Sequence, residues 1–146
     1  MNNLQQQGRD YYKRGDYKKA IECFDRAIGK GAASVQLLDN RAACYEKLND
    51  FSTALKDAKK AIQLHREDAT GYLRAGKVLV KMEKKEVALE IYTHGMKTIR
   101  HVGQGYEVSI LIADQLLELR DLLMCIIDSP KGSQRAHERA LATQKR

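Results

Sequence analysis

Residues 40–64 read NRAACYEKLNDFSTALKDAKKAIQL. The spacing predicts two amphipathic helices around a tight turn at Asn49-Asp50. Small residues fall where two helices must touch: Ala42, Ala43, Ala54, Ala58 and Ala61. Tyr45 and Phe51 fall where a gap between helices must be filled. Shifting the frame by 34 residues repeats the pattern. Tyr11, Tyr17, Ala20 and Ala27 precede Tyr45, Phe51, Ala54 and Ala61, and Gly76, Ala88 and Tyr92 follow Ala42, Ala54 and Ala58. A fixed period of this length means stacked helix–turn–helix units, each too small to bury its apolar face alone.

Working outward, the first unit spans 1–34. Its first helix carries Leu4, Gly8 and Tyr11, its turn is Gly15-Asp16, and its second helix carries Ala20, Ile21, Phe24, Ala27 and Ile28. Spacings of three and four put these on one stripe. Gly8 costs about 1 kcal/mol of helix propensity relative to alanine, so it is expected where a partner helix comes close. Gly29 and Gly31 end the second helix. The second unit, 35–68, starts from Ser34 as N-cap, and the third, 69–102, from Asp68. The third matches less well at its inner turn, where Glu83-Lys84-Lys85 replaces an Asp-aromatic pair.

After Gly103-Gln104-Gly105 a long helix is expected over 106–128, with Val108, Leu111, Ile112, Leu116, Leu119, Leu122, Leu123 and Ile126 as its stripe. An array must cover the exposed face of its last unit, and this helix is the natural cap. Its wide stripe also suits an additional contact. Asp128-Ser129-Pro130 stops it. Residues 129–146 read as a basic linker or disordered tail.

Composition narrows the function. The 146 residues carry a net charge of +7. The balance is +7 over 1–102, −4 over 103–128 and +4 over 129–146. The repeats and tail are therefore matched to an anionic partner. No apolar run approaches the ~20 residues of a membrane span. Cys23, Cys44 and Cys125 form no CxxC pair and no signal-peptide pattern opens the chain, as expected of a reducing compartment. His65, His94, His101 and His137 share no metal-ligand spacing, Gly103-x-Gly105 is no phosphate loop, and no catalytic constellation is evident. A non-enzymatic chain without cofactor, metal or small-molecule substrate is expected. Direct nucleic-acid binding is disfavoured, because only Tyr12 offers a stacking aromatic on the expected binding face.

The 34-residue period resembles tetratricopeptide repeats over 1–102. This resemblance implies an all-α, right-handed superhelix of three helix–turn–helix repeats plus a C-terminal capping helix. It also implies a concave groove lined by the first helices. The groove positions of such repeats are here Asn2, Gln5, Gln6, Arg9, Tyr12 and Lys13; then Gln36, Asp39, Asn40, Ala43, Glu46 and Lys47; then Thr70, Leu73, Arg74, Lys77, Val80 and Lys81. Six are basic and two acidic. The candidate peptide-binding residues are Arg9, Lys13, Asn40, Lys47, Arg74, Lys77 and Lys81. Arg9/Lys13 and Arg74/Lys77/Lys81 are expected as basic ridges, with Asn40 hydrogen-bonding a peptide backbone.

Two family readings follow. ACYEKLNDF, GYLRAGKVLVKMEKKEVALEIYTHGMKTI and the long helix resemble the N-terminal region of fungal F-box proteins that join such repeats to an F-box and leucine-rich repeats. That resemblance implies the tethering module of a cullin-based (SCF) ubiquitin ligase subunit. It would recruit the ligase in the nucleus to an acidic or amphipathic segment of a replisome protein. The chain shows neither an F-box nor leucine-rich repeats, so on this reading it carries the tether alone. The alternative is a cytoplasmic co-chaperone-like module that clamps a chaperone's C-terminal carboxylate. That clamp needs Lys and Asn in repeat one, Asn in repeat two, and Lys and Arg in repeat three. Asn40 and Arg74 match, whereas Gln5, Arg9 and Thr70 depart from it.

Overall fold

A computed structural model describes residues 2–31, 33–102, 114, 116–122 and 124–125. Six helices come in three antiparallel pairs: α1 (Asn2–Lys13) with α2 (Tyr17–Gly29), α3 (Val35–Lys47) with α4 (Phe51–Leu64), and α5 (Ala69–Lys81) with α6 (Lys85–Val102). Each helix packs on the next, and the first helices also touch across pairs, α1 on α3 and α3 on α5. The fold is the right-handed superhelix of three repeats that the resemblance to tetratricopeptide repeats implies, with α1, α3 and α5 as its inner layer. Residues 116–122 are helical, and Leu116 is fully buried in one cluster with Tyr72, Leu79, Tyr92 and Met96. A C-terminal helix thus caps the third repeat. The Gly103–Gly105 break, residues 106–113, 115, 123 and 126–128 of the expected helix and the 129–146 tail lie outside the described residues.

Local chemistry sets the helix starts. Ser34 Oγ accepts from the Leu37 amide at 3.2 Å, and an Asp68 carboxylate oxygen accepts from the Thr70 amide at 2.9 Å. Asp50 does the same for Thr53 at 3.3 Å. The three inner turns are superposable in their bonding. Gly15, Asn49 and Glu83, 34 residues apart, all have positive φ (83°, 60° and 61°). The next amide donates back to Tyr11, Tyr45 or Leu79, at 2.9 Å in each case. The third turn therefore keeps the repeat geometry although its sequence departs from it. A glutamate in the left-handed region costs about 1 kcal/mol, which the surrounding packing sustains.

Helix approach depends on volume matched across each pair. A Cβ on Gly8 would lie 2.5 Å from the Phe24 ring, and one on Gly76 would lie 2.1 Å from the Tyr92 ring. The corresponding pair in repeat two is Ala42 and Ala58, both fully buried. Two small residues there do what a glycine and an aromatic do in the outer repeats. Ala42, Ala54 and Val78 meet where α3, α4 and α5 converge.

A charged cluster joins repeats one and two. Arg41 donates from Nε and Nη2 to the two Asp57 oxygens at 2.8 and 2.7 Å, and from Nη1 to Asp25 at 2.8 Å. The Asp57 side chain is only 5% exposed, so this bidentate pair replaces its water.

Candidate functional site

The inner layer places every candidate binding residue on a first helix: Arg9 and Lys13 on α1, Asn40 and Lys47 on α3, and Arg74, Lys77 and Lys81 on α5. They do not form one uniform surface. Two cavities flank a closed ion-pair cluster.

The first cavity, about 240 Å³, lies between repeats one and two and is lined by Arg9, Tyr12, Lys13, Phe24, Asn40 and Ala43. Arg9 Nη2 donates to Gln6 Oε1 at 2.7 Å, which steadies the guanidinium without neutralising it. Tyr12 stands edge-on to Tyr17, with ring centroids 5.4 Å apart. Burial raises the Tyr12 hydroxyl pKa, against the lowering influence of Arg74. Asn40 is half-buried, and its Nδ2 is shielded from solvent without a hydrogen-bond partner among the described residues. A buried donor left in this state costs about 1–3 kcal/mol.

The second cavity, about 280 Å³, lies at the other end and is lined by Glu46, Lys77, Val80, Lys81, Tyr92, Leu119 and Leu122. Lys47 is exposed and lines neither cavity.

Between them Arg74 is spoken for. Its Nε donates to Asp39 Oδ1 at 2.7 Å, its Nη2 to Asp39 Oδ2 at 3.4 Å, and its Nη1 to Glu46 Oε2 at 2.7 Å. Lys81 Nζ lies 2.7 Å from Glu46 Oε1. Two cations thus meet two carboxylates. Burial by itself would raise the Glu46 carboxyl, but hydrogen bonds from Lys81 and Arg74 outweigh it and hold the pKa below the usual value. Arg74 and Lys81 consequently do not stand as a basic ridge with Lys77. Arg74 turns to α3 because two carboxylates sit within its reach and desolvation makes their pairing strong. Sequence reasoning put Asp39 and Glu46 in the groove without pairing them, since they lie 35 and 28 residues before Arg74 and follow no helical or repeat spacing.

Burial pushes the Cys44 thiol up to about 12. It is a small interior residue rather than a nucleophile.

Residues 2–28 match the family model described as Tetratricopeptide repeat. The Hsp70-Hsp90 organizing protein of Triticum aestivum is 37% identical over 92 residues, which is 63% of this chain and 16% of that protein. The protein described as DIA2 in Eremothecium gossypii is 49% identical over 61 residues, or 42% of this chain and 9% of that protein. This chain therefore spans well under a fifth of the length of either relative. Among solved structures, the second TPR domain of human RPAP3 in complex with the HSP70 peptide SGPTIEEVD superposes with a TM-score of 0.59. It is 25% identical, covering 77% of this chain and 91% of that one.

Proposed function

We propose that this tetratricopeptide-repeat domain, a protein–protein interaction module rather than an enzyme, holds an extended acidic peptide along its inner layer, in the manner of a co-chaperone module taking a chaperone's C-terminal tail. The observation that carries this reading is the cavity lined by Arg9, Lys13 and Asn40, an asparagine whose shielded Nδ2 has no hydrogen-bond partner among the described residues. Once the Asn40 amide turns toward the cavity, a peptide carbonyl satisfies that donor, and the two cations beside it make charge-assisted bonds to carboxylates. The relatives whose descriptions name a partner support the same class of ligand: an Hsp70-Hsp90 organizing protein, and a domain holding the acidic peptide SGPTIEEVD. Gln5 and Thr70 stand where the carboxylate clamp has lysines, so the grip differs from that clamp and leans on Arg9, Lys13 and Asn40.

The test is fluorescence anisotropy with labelled SGPTIEEVD. Asn40→Ala is expected to weaken binding about tenfold through lost hydrogen bonds. The double reversal Arg9→Glu with Lys13→Glu is expected to abolish it, and added salt to weaken it. A folded double-reversal variant that binds like wild type refutes the reading.

A second reading makes the same groove the tether of an F-box subunit of an SCF ligase at the replication fork in the nucleus. The resemblance of ACYEKLNDF and of the third repeat to fungal F-box proteins supports it. An acidic segment of a replisome protein that displaces the labelled peptide, where chaperone tails do not, decides for it.

A further inference from the structure

We propose that the groove reads acidic side chains within a segment and is indifferent to the free carboxylate at a chain end, because Arg74, the cation placed to take that carboxylate, is already paired. Its ligands are then internal acidic segments of a partner as much as C-terminal tails. This rests on the reading of the inner layer as a peptide groove and names which part of an acidic chain that groove recognises.

A chain end differs from an internal residue by one additional negative charge. To prefer the end, the groove must offer that charge a cation beyond those that hold the side chains. The six basic residues at groove positions are not equally free to do so. Lys47 lines neither cavity. Arg74 donates from Nε and Nη2 to Asp39 and from Nη1 to Glu46. Lys81 Nζ lies 2.7 Å from the other Glu46 oxygen. Lys77 is exposed at the far cavity, where a single solvated ammonium contributes little. Arg9, which donates to the neutral Gln6 oxygen, and Lys13 are left together at the first cavity.

The central cluster resists recruitment. A ligand carboxylate that took Arg74 would have to displace Asp39 or Glu46. The Glu46 side chain is only 9% exposed, so without its cations it would be a buried, unpaired charge. Asp39 and Glu46 also repel an arriving carboxylate, and two cations against two carboxylates leave the middle of the groove without net charge. Gln5 and Thr70, one helical turn before Arg9 and Arg74, are neutral and supply no substitute. Side-chain carboxylates satisfy Arg9 and Lys13 as well as a terminal one does. An end therefore gains nothing over an internal acid, and the chain is free to continue beyond it.

The experiment measures anisotropy with N-terminally labelled SGPTIEEVD, its C-terminal amide, the extended SGPTIEEVDGSG and the neutralised SGPTIQQVN, on wild type and on Asp39→Asn, with circular dichroism to confirm folding. On wild type the first three are expected to bind within about twofold of one another, and SGPTIQQVN about tenfold or more weakly. In Asp39→Asn, Arg74 loses its bidentate carboxylate and becomes available, so the free acid is expected to bind about tenfold tighter than the amide. An amide or extended peptide about tenfold weaker than the free acid on wild type, with binding still abolished by Arg9→Glu/Lys13→Glu, overturns the proposal and leaves the groove standing. A folded Asp39→Asn that binds acid and amide alike overturns the part given to Arg74. SGPTIQQVN binding like SGPTIEEVD, or no binding of any peptide to wild type, overturns both readings. The peptide comparison needs no change in the protein, so an unstable Asp39→Asn does not spare the proposal.

Discussion

Gly76→Ala tests how the third repeat is held together. Alanine is the better helix former by about 1 kcal/mol, so a helix surface would gain from the change. The structure puts the new Cβ 2.1 Å from Cε1 and Cζ of Tyr92 and 2.5 Å from its hydroxyl oxygen. Carbon atoms attract best at about 3.5–4 Å, so the ring would have to retreat by roughly 1.4 Å. It has nowhere to go. Tyr92 is 1% exposed and packs in one cluster with Leu79, Met96 and Leu116. Overpacking of this kind costs about 1–3 kcal/mol, and the clash lies on a rigid ring, so we expect it to exceed the propensity gain. The net loss is about 1–2 kcal/mol, a fall in Tm of roughly 3–7 °C.

Repeat two shows the relief. Ala42 and Ala58 stand 34 residues before Gly76 and Tyr92, and both are fully buried without conflict. Tyr92→Ala alone should cost about 3–5 kcal/mol through the cavity it leaves. In that background Gly76→Ala should stabilise by up to about 1 kcal/mol, because the obstacle is gone. Urea and thermal unfolding of the four proteins close a double-mutant cycle. If Gly76→Ala is neutral or stabilising in the wild-type background, or carries the same penalty in both, the reasoning fails.

Two further outcomes follow from the ion pairs. Arg41→Ala leaves the Asp57 carboxylate, 5% exposed, without its bidentate partner. Urea unfolding should show a loss of about 3–5 kcal/mol, largely recovered in Arg41→Ala/Asp57→Ala. Glu46 has a folded pKa below its ordinary value, so its contribution is fully present above the unfolded pKa of about 4.3 and is lost as pH falls through the folded value. Thermal melts from pH 7 to pH 3 should therefore show Tm dropping below about pH 4.3, and Glu46→Gln should shallow that drop while lowering Tm at pH 7.

The 34-residue period by itself determined the helix pairs, the places of the inner turns and the small residues where helices touch, while the structure added the positive φ and the partners of Gly8 and Gly76. Each of these is a local or near-local requirement. A helix needs apolar spacings of three and four, a tight turn needs a residue that tolerates the left-handed region, and two helices in contact need their side-chain volumes to fit. Such requirements recur wherever the unit recurs, so they leave a periodic mark. The N-caps Ser34 and Asp68 were legible for the same reason, because a cap acts on amides two or three residues away. The third inner turn was harder to read, since Glu83 adopts the turn conformation with a residue that does not advertise it.

Only the tertiary structure decided which charges are spent. Arg74 and Lys81 are, in the sequence, indistinguishable from Arg9 and Lys13. Whether a cation stays available depends on which carboxylates the stacked helices bring within about 3 Å of it. Asp39 and Glu46 reach Arg74 across the α3–α5 contact, while Gln6 offers Arg9 only a neutral oxygen. The second cavity is likewise invisible along the chain, because its walls come from α5, α6 and the C-terminal helix. Ion pairing and cavity shape depend on distances between side chains far apart in sequence, and those distances exist only once the repeats have stacked.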